Sequence, residues 1–554
     1  MRFPGRPGLT VLIAGMVFGQ SADSPKFEVA DVHPSPKRTN TFLRTAPPRA
    51  GRYEIRNATM LDLIRIAYGF TDETISGGPN WIELDRFDVT AKVPAGAEAD
   101  QQKAMLQSLL AERFKLAVRK DTKPVATWVL AAGTQPRLKE ADGSGETGCK
   151  VQGSGAPTEG GIRLFTSSPD GTSTTINLGP GGTIPYTCRN MTMAAFAAGL
   201  RTMMGAQVGP EPVVDQTGMK GTWNFEVHWS LGMIGALNAG DHISVAEAID
   251  KQLGLKLEQK PVTKQVLIVE TVNRSPTPNP PGVAEALPTP EPPKEFDVAD
   301  VKLSAPASGF PPGGRIRNQM LPGGRFVCEN CPLRLLIAQA FNGRSTTDQL
   351  IGVPPAVDSI RVDITAKVPA EFPAGPGIDF DVLAPMLRSL LAERFDLKYH
   401  EEERTVTAYS LVAAKPKMKK ADPGSRIFCR RAQAPSGSPP GSQTLICQNA
   451  TMGLLAEQLL QMYPGLNWPV VDATGIEGGW DFSLTFSIFP MTLLNAAGRG
   501  GGGGPQDGSA APDPSGGLTI FEAIDSQLGL KLKAEKRTEK VTVVDHFDTK
   551  PTDN

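Results

Sequence analysis

MLQSLLAERFKL at 105–116 returns as MLRSLLAERFDL at 386–397, with ten of twelve positions identical. Each string puts five apolar side chains on one helical face: Met105, Leu106, Leu109, Leu110 and Phe114 in the first, Met386, Leu387, Leu390, Leu391 and Phe395 in the second. Working outward, FEVADV at 27–32 returns as FDVADV at 296–301, and VTAKVPA at 89–95 as ITAKVPA at 364–370. Further on, DQTGMKGTWNF at 215–225 returns as DATGIEGGWDF at 472–482, and SVAEAIDKQLGLKL at 244–257 as TIFEAIDSQLGLKL at 519–532. Order is kept while the offset wanders between 257 and 281, which describes one unit duplicated in tandem with loops of altered length.

Each unit reads as strands interleaved with about three helices, a mixed α+β fold with a mixed sheet. Met60, Ile64, Ala67 and Tyr68 recur at helical spacing behind a Thr59/Asp62 capping pair, and Pro332 takes the place of Thr59 in the second copy. A hairpin is expected after the second helix, with Leu116 and Val118 in one arm, 125–130 in the other and a turn at 121–124. The third helix opens on Ser244 with Glu247, or Thr519 with Glu522, and ends at Gly254 or Gly529. Closing strands follow at 266–272 and 541–547.

The reading divides the chain into a signal peptide at 1–21, a first repeat at 26–274, a linker at 275–294 and a second repeat at 295–549. Arg2 and Arg6 precede the apolar run LTVLIAGMVF at 9–18, the pattern of an export signal too short to span a bilayer. The linker SPTPNPPGVAEALPTPEPPK reads as a polyproline spacer with nothing to bury. Gly-rich runs at 150–187 and 499–517 read as surface insertions. With 57 basic against 58 acidic residues, the chain lacks the basic field that nucleic acid or an anionic membrane would require.

The β-α-β pieces resemble the short N-terminal modules of secretins and TonB-dependent receptors. The strings GRYEIRNATMLDLIRIAYGF at 51–70, ISGGPNWIELDRFDVTAKVP at 75–94 and MLQSLLAERFKL, each echoed downstream, resemble an uncharacterised exported family expanded in Acidobacteria, a domain of unknown function. The second copy departs from it at IGVPPAVDSIRVDITAKVP, leaving Trp81 without a counterpart. Related domains attached to membrane metallopeptidases of the antibiotic-sensor type imply sensing or binding.

In an exported chain the six cysteines are read as disulfides: Cys149 with Cys188, Cys429 with Cys447, and Cys328 with Cys331. The 39-residue and 18-residue separations differ while both ends persist, as a staple requires. Cys328-x-x-Cys331 is the one string that could carry thiol chemistry, but Ile55 and Ala58 replace it in the first copy. His33, His228, His242, His400 and His546 have no histidine counterpart in the other copy and read as surface residues. Asp215-x-Thr-Gly and Asp472-x-Thr-Gly read as tight turns, Asp88 and Asp363 as strand residues, and Glu112-Arg113 and Glu393-Arg394 as polar helix ends. No catalytic, metal or cofactor set is assigned. The expectation is a non-catalytic extracytoplasmic protein whose paired modules bind an envelope ligand or protein. The alternatives are a hydrolase or a Cys328/Cys331 oxidoreductase, and a structural envelope protein.

Overall fold

The computed structural model describes residues 25–36, 43–49, 51–151, 162–167, 173–178, 183–204, 212–230, 243–288, 293–305, 316–321, 323–341, 349–370, 380–435, 438–439, 442–463, 466, 468–487 and 517–553. The segment read as a signal peptide, His242 and most of the Gly-rich run at 499–517 lie outside them. The fold is mixed α/β, and its two repeats carry matching elements in the same order.

In the first repeat, β1 (Val29–Pro34), β2 (Arg44–Arg49), β3 (Arg52–Thr59) and β5 (Arg86–Lys92) form an antiparallel sheet in the order β1-β5-β3-β2. Helices α1 (Met60–Tyr68) and α2 (Ala99–Phe114) cover one face, and β4 (Ile75–Gly77) leaves the sheet. A second lobe repeats the plan. Strands β7 (Lys139–Glu140), β8 (Gly148–Val151), β11 (Thr183–Met191) and β13 (Trp223–Ser230) pair in the order β7-β13-β11-β8, while β9 (Ile162–Ser167) and β10 (Ser173–Leu178) form a separate hairpin. Helix α3 (Met193–Met204) follows β11, β12 (Val214–Gln216) leaves the sheet, and α4 (Val245–Ala248) runs on into a π turn at Ile249–Leu253. Sequence periodicity had not separated α3, or its counterpart in the second repeat, from the loops around it.

The lobes are joined by a ribbon of β6 (Ala117–Ala132) against β14 (Leu255–Thr271). The expected hairpin at 121–124 does not form. Thr122 and Pro124 stay extended, facing Gln265 and Thr263, because a partner strand more than a hundred residues away supplies the ladder. Each end of the ribbon enters a different core: Leu267 and Val269 pack beneath α1 and α2, and Leu130, Leu255 and Leu257 pack beneath α3 and α4. Strand β4 joins β14 in parallel at the first end, and β12 joins β6 in parallel at the other. Gly254 makes the turn into the ribbon with φ +66, where a Cβ would stand 2.0 Å from the Gln135 carbonyl oxygen.

After α5 (Val283–Ala286), the second repeat has the same plan. Its first lobe holds β15 (Val298–Leu303), β16 (Arg317–Leu321), β17 (Arg325–Pro332), α6 (Leu333–Ala340), β18 (Leu350–Ile351), β19 (Arg361–Lys367) and α7 (Phe380–Phe395), with the sheet order β15-β19-β17-β16. Its ribbon pairs β20 (Lys398–Ala413) with β26 (Leu530–His546). The far lobe contains β21 (Lys419–Lys420), β22 (Phe428–Gln433), β23 (Ser442–Ala450), α8 (Met452–Met462), β24 (Val471–Asp472), β25 (Trp480–Ser487) and α9 (Ile520–Ala523). Four lobes therefore share one topology.

A short string marks the same place in each lobe: Asn57-Ala-Thr59-Met60, Asn190-Met-Thr192-Met193, Asn330-Cys-Pro332-Leu333 and Asn449-Ala-Thr451-Met452. All four asparagines are left-handed, at φ 58, 49, 53 and 48, where the strand bulges before its helix. A side chain from the neighbouring strand receives each asparagine N–H: Asp88 Oδ1 at 2.7 Å, Asn224 Oδ1 at 2.9 Å, Asp363 Oδ1 at 2.7 Å and Asp481 Oδ1 at 2.9 Å. Two residues on, Thr59, Thr192 and Thr451 cap the helix by accepting the N–H three positions later. The Met or Leu that follows is buried in the core of its lobe.

Candidate functional site

Arg113 and Arg394 end α2 and α7, where amphipathic spacing alone suggests a solvated position. Both are buried. Arg113 Nε donates to the Thr277 carbonyl at 3.0 Å and to its hydroxyl at 3.1 Å, Nη1 reaches the Ala30 carbonyl at 3.4 Å, and Nη2 reaches Asn279 Oδ1 at 2.6 Å. Thr277 N–H returns to the Arg113 carbonyl at 2.8 Å. Arg394 Nη2 and carbonyl bind the Thr552 carbonyl and N–H in the same way, at 2.9 and 2.8 Å. The signal was present as Pro276-Thr277 and Pro551-Thr552, just beyond the expected ends of the two repeats. A guanidinium with five donors can satisfy several carbonyls at once, so the helix end becomes a fastener for the returning tail.

Asn279 then caps the free edge of the first sheet. Its Oδ1 accepts Val32 N–H at 3.1 Å and its Nδ2 donates to Asp31. Beyond it the proline-rich stretch is not an unattached spacer: Val283 and Leu287 are buried, α5 packs on β1, and Arg52 Nη1 donates to the Pro288 carbonyl at 3.2 Å. This segment crosses the sheet face opposite the helices. A cleft of about 330 Å³ lies between it, β1 and α2, with Phe27, Val29, Met105, Leu109 and Val283 as apolar wall, the exposed Lys26 and Glu112 beside them and the buried Arg113 also in its lining.

In the second repeat the equivalent face is bare of such a segment among the described residues. Val298, counterpart of Val29, is 70% exposed. Arg325 and Thr365 are also exposed, whereas their counterparts Arg52 and Thr90 are half-buried.

The repeats touch through a second polar fastener. Glu83, nearly buried, accepts from Arg426 Nη1 at 3.3 Å and Arg430 Nε at 3.2 Å. Arg426 Nη2 also donates to the carbonyls of Ile75 and Gly77, at 2.9 and 3.0 Å. Ile427 N–H binds the Asn80 carbonyl at 2.9 Å, and Asn80 Nδ2 the Pro423 carbonyl at 3.1 Å. Burial pushes the Arg426 guanidinium below its ordinary value, and the Glu83 charge opposes that shift. Trp81, which has Ala356 at its place in the second copy, is buried in the first core beside this contact.

The remaining candidates occupy structural positions. Cys149 and Cys188 sit opposite each other on β8 and β11, with sulfurs 1.95 Å apart, and Cys429 and Cys447 on β22 and β23, with sulfurs 2.01 Å apart. Cys328 and Cys331, 1.93 Å apart at sulfur, bridge the strand bulge at Asn330, and both are fully buried. Thiol exchange requires an approachable sulfur, and this pair offers none in the folded state. Asp215 and Asp472 each accept the N–H and hydroxyl of the Thr two positions on, as a tight turn requires. His33 lies 3.3 Å from Asp31, His228 N–H binds Gln252, and His400 Nδ1 stands 3.0 Å from Asp545, whose hydrogen bond holds the imidazole above its ordinary value. Glu112 and Glu393 stay exposed beside their buried arginines.

Metal-ligating atoms converge within 4.8 Å at Asp396, His546 and Asp548, a grouping that sequence spacing did not reveal because Asp396 precedes the other strand of the ribbon, whose Lys398 faces His546. Lys398 Nζ lies 2.9 Å from the same Asp396 carboxylate, and the group is largely exposed. Among the described residues, no helix is long and apolar enough to cross a membrane.

A family model described as a protein of unknown function (DUF3738) matches the chain twice, over residues 61–272 and 334–547. No curated protein and no solved structure matches it.

Proposed function

The chain belongs to the DUF3738 family in two tandem copies, and on that premise we propose that it is a non-catalytic binding protein working outside the cytoplasm. One observation carries this reading: the first repeat already holds a peptide, its own segment 279–288, across a sheet face and edge. A scaffold that recognises a segment through an edge N–H, an arginine fastener and two aliphatic side chains has the parts of a recognition module. The disulfide pairs and the apolar run at 9–18 support an exported location. Two linked modules raise avidity where both can engage one target.

The test is photo-cross-linking in cells that export the protein, with the reactive side chain placed in turn at Val298, Leu303, Ile446 and Tyr399, all exposed apolar positions. A discrete envelope protein joined at one or two of these sites is the expected result. Equal, indiscriminate labelling at all four, or none at any, would sink the binding reading.

A further inference from the structure

We propose that the outer sheet face of the second repeat, centred on Val298, is the docking site for a proline-rich peptide segment of a partner protein, one that carries a Pro-Gly turn followed by a single helical turn with aliphatic residues four apart. This rests on the binding reading above and names the class of partner.

The argument is a comparison of the chain with itself. The two faces are built from matched residues: Val29 and Val298, Arg52 and Arg325, Thr90 and Thr365, Lys92 and Lys367, on strands in identical sheet order and register. On the first face lies Pro280-Pro281-Gly282-Val283-Ala284-Glu285-Ala286-Leu287. Gly282 turns it with φ +83, α5 places Val283 and Leu287 on one side, and both are buried. The proline pair restricts the segment before it binds, so less conformational entropy is lost on docking. Arg52 anchors the far end through the Pro288 carbonyl.

The second face keeps the floor and the anchor, Val298 and Arg325, but no described residue takes the place of the segment. A β-branched side chain left 70% exposed on an edge strand is what the first repeat covers. The first repeat therefore specifies the occupant. A second copy of this chain is disfavoured as its source, because in each copy that segment is already fastened by Arg113 and Asn279.

The probe is a synthetic peptide of residues 278–288, PNPPGVAEALP, fluorescently labelled and titrated against the full chain by anisotropy. One peptide should bind per chain. Val298→Asp should weaken binding by at least about tenfold, because a carboxylate would face the aliphatic pair, while Val471→Asp, at an exposed position on β24 of the same repeat, should leave it unchanged. Circular dichroism and melting of both variants check that each exposed substitution leaves the fold intact. No saturable binding, or binding indifferent to Val298→Asp, overturns the proposal, as does equal loss with Val471→Asp, which would mean a general effect of the added charge. Concentration-dependent dimers of the full chain that vanish in Val298→Asp would overturn the assignment to a partner protein. If the peptide fails while cross-links form at Leu303 or Ile446, the class of partner is wrong and the binding reading stands.

Discussion

Arg113 grips Thr277 from both directions, its guanidinium donating to the threonine carbonyl and hydroxyl while its own carbonyl receives the threonine N–H at 2.8 Å. The pair closes the first repeat: residues from the end of the unit return to its second helix, and Asn279 continues the closure onto the edge of β1. Arg394 and Thr552 close the second repeat in the same manner.

The boundary of a stable first repeat should accordingly lie past Leu287 and not at Arg274. A chain ending at 274 leaves the Arg113 guanidinium and the Val32 N–H buried without their partners, each costing about 1–3 kcal/mol. Thermal melting of chains ending at 274 and at 288 should show the longer one clearly more stable. Arg113→Ala in the longer chain should remove most of that advantage. Equal melting of the two chains would show that the tail contributes nothing to the fold.

Asp88 and Asp363 hold matching bulges, but only the second bulge is also bridged by a disulfide. Asp88→Ala should cost about 1–3 kcal/mol, since it leaves the buried Asn57 N–H without its acceptor and the Ser35 hydroxyl without its own. Asp363→Ala should cost less while Cys328–Cys331 is intact and approach the Asp88→Ala value once the pair is replaced by Ser and Ala. Denaturant melts of the four variants measure this. Equal costs with and without the bridge would separate the disulfide from the bulge.

The cross-strand staples act on longer loops. Cys149→Ser opens a separation of 39 residues and Cys429→Ser one of 18, for losses of about 4 and about 3 kcal/mol if loop-closure entropy governs. The pair closing a separation of 3 should matter least. Urea midpoints of the single variants should rank in that order. A reversed ranking would point to strain or to structure in the unfolded chain.

Glu83 receives two arginines from the other repeat, so Glu83→Ala should loosen the relation between the repeats more than it harms either core. Arg426 would then be left largely buried without its counter-charge, a loss of about 3 kcal/mol at the contact before solvent relaxation reduces it. Small-angle scattering should show a larger radius of gyration, and calorimetry a separation of two transitions. An unchanged scattering profile would mean that the contact does not set the arrangement.

Much of this was legible in the chain itself. The duplication, the amphipathic faces of α2 and α7 and the cysteine pairing classes follow from repeated strings and from periodicity, both local properties of sequence. The Thr59 and Thr519 caps were readable for the same reason: donor and acceptor lie three residues apart.

Tertiary structure decided the rest, because the deciding partners are remote. Residues 117–132 look like a hairpin until the strand at 255–271 supplies a continuous ladder, and no local preference can announce a partner so far away. Arg113 looks like the polar end of a helix until Thr277 and Asn279 return to it, 164 and 166 residues later. The internal symmetry of each repeat survives in sequence as an Asn, the Asp or Asn that accepts its N–H and a following helix start, since a left-handed bulge and a cap constrain few side chains while a sheet tolerates many. Sequence determined that the unit occurs twice. Folding determined that each unit is itself two related lobes on one ribbon, and that one sheet face is covered by its own chain while no described residue covers the matching face.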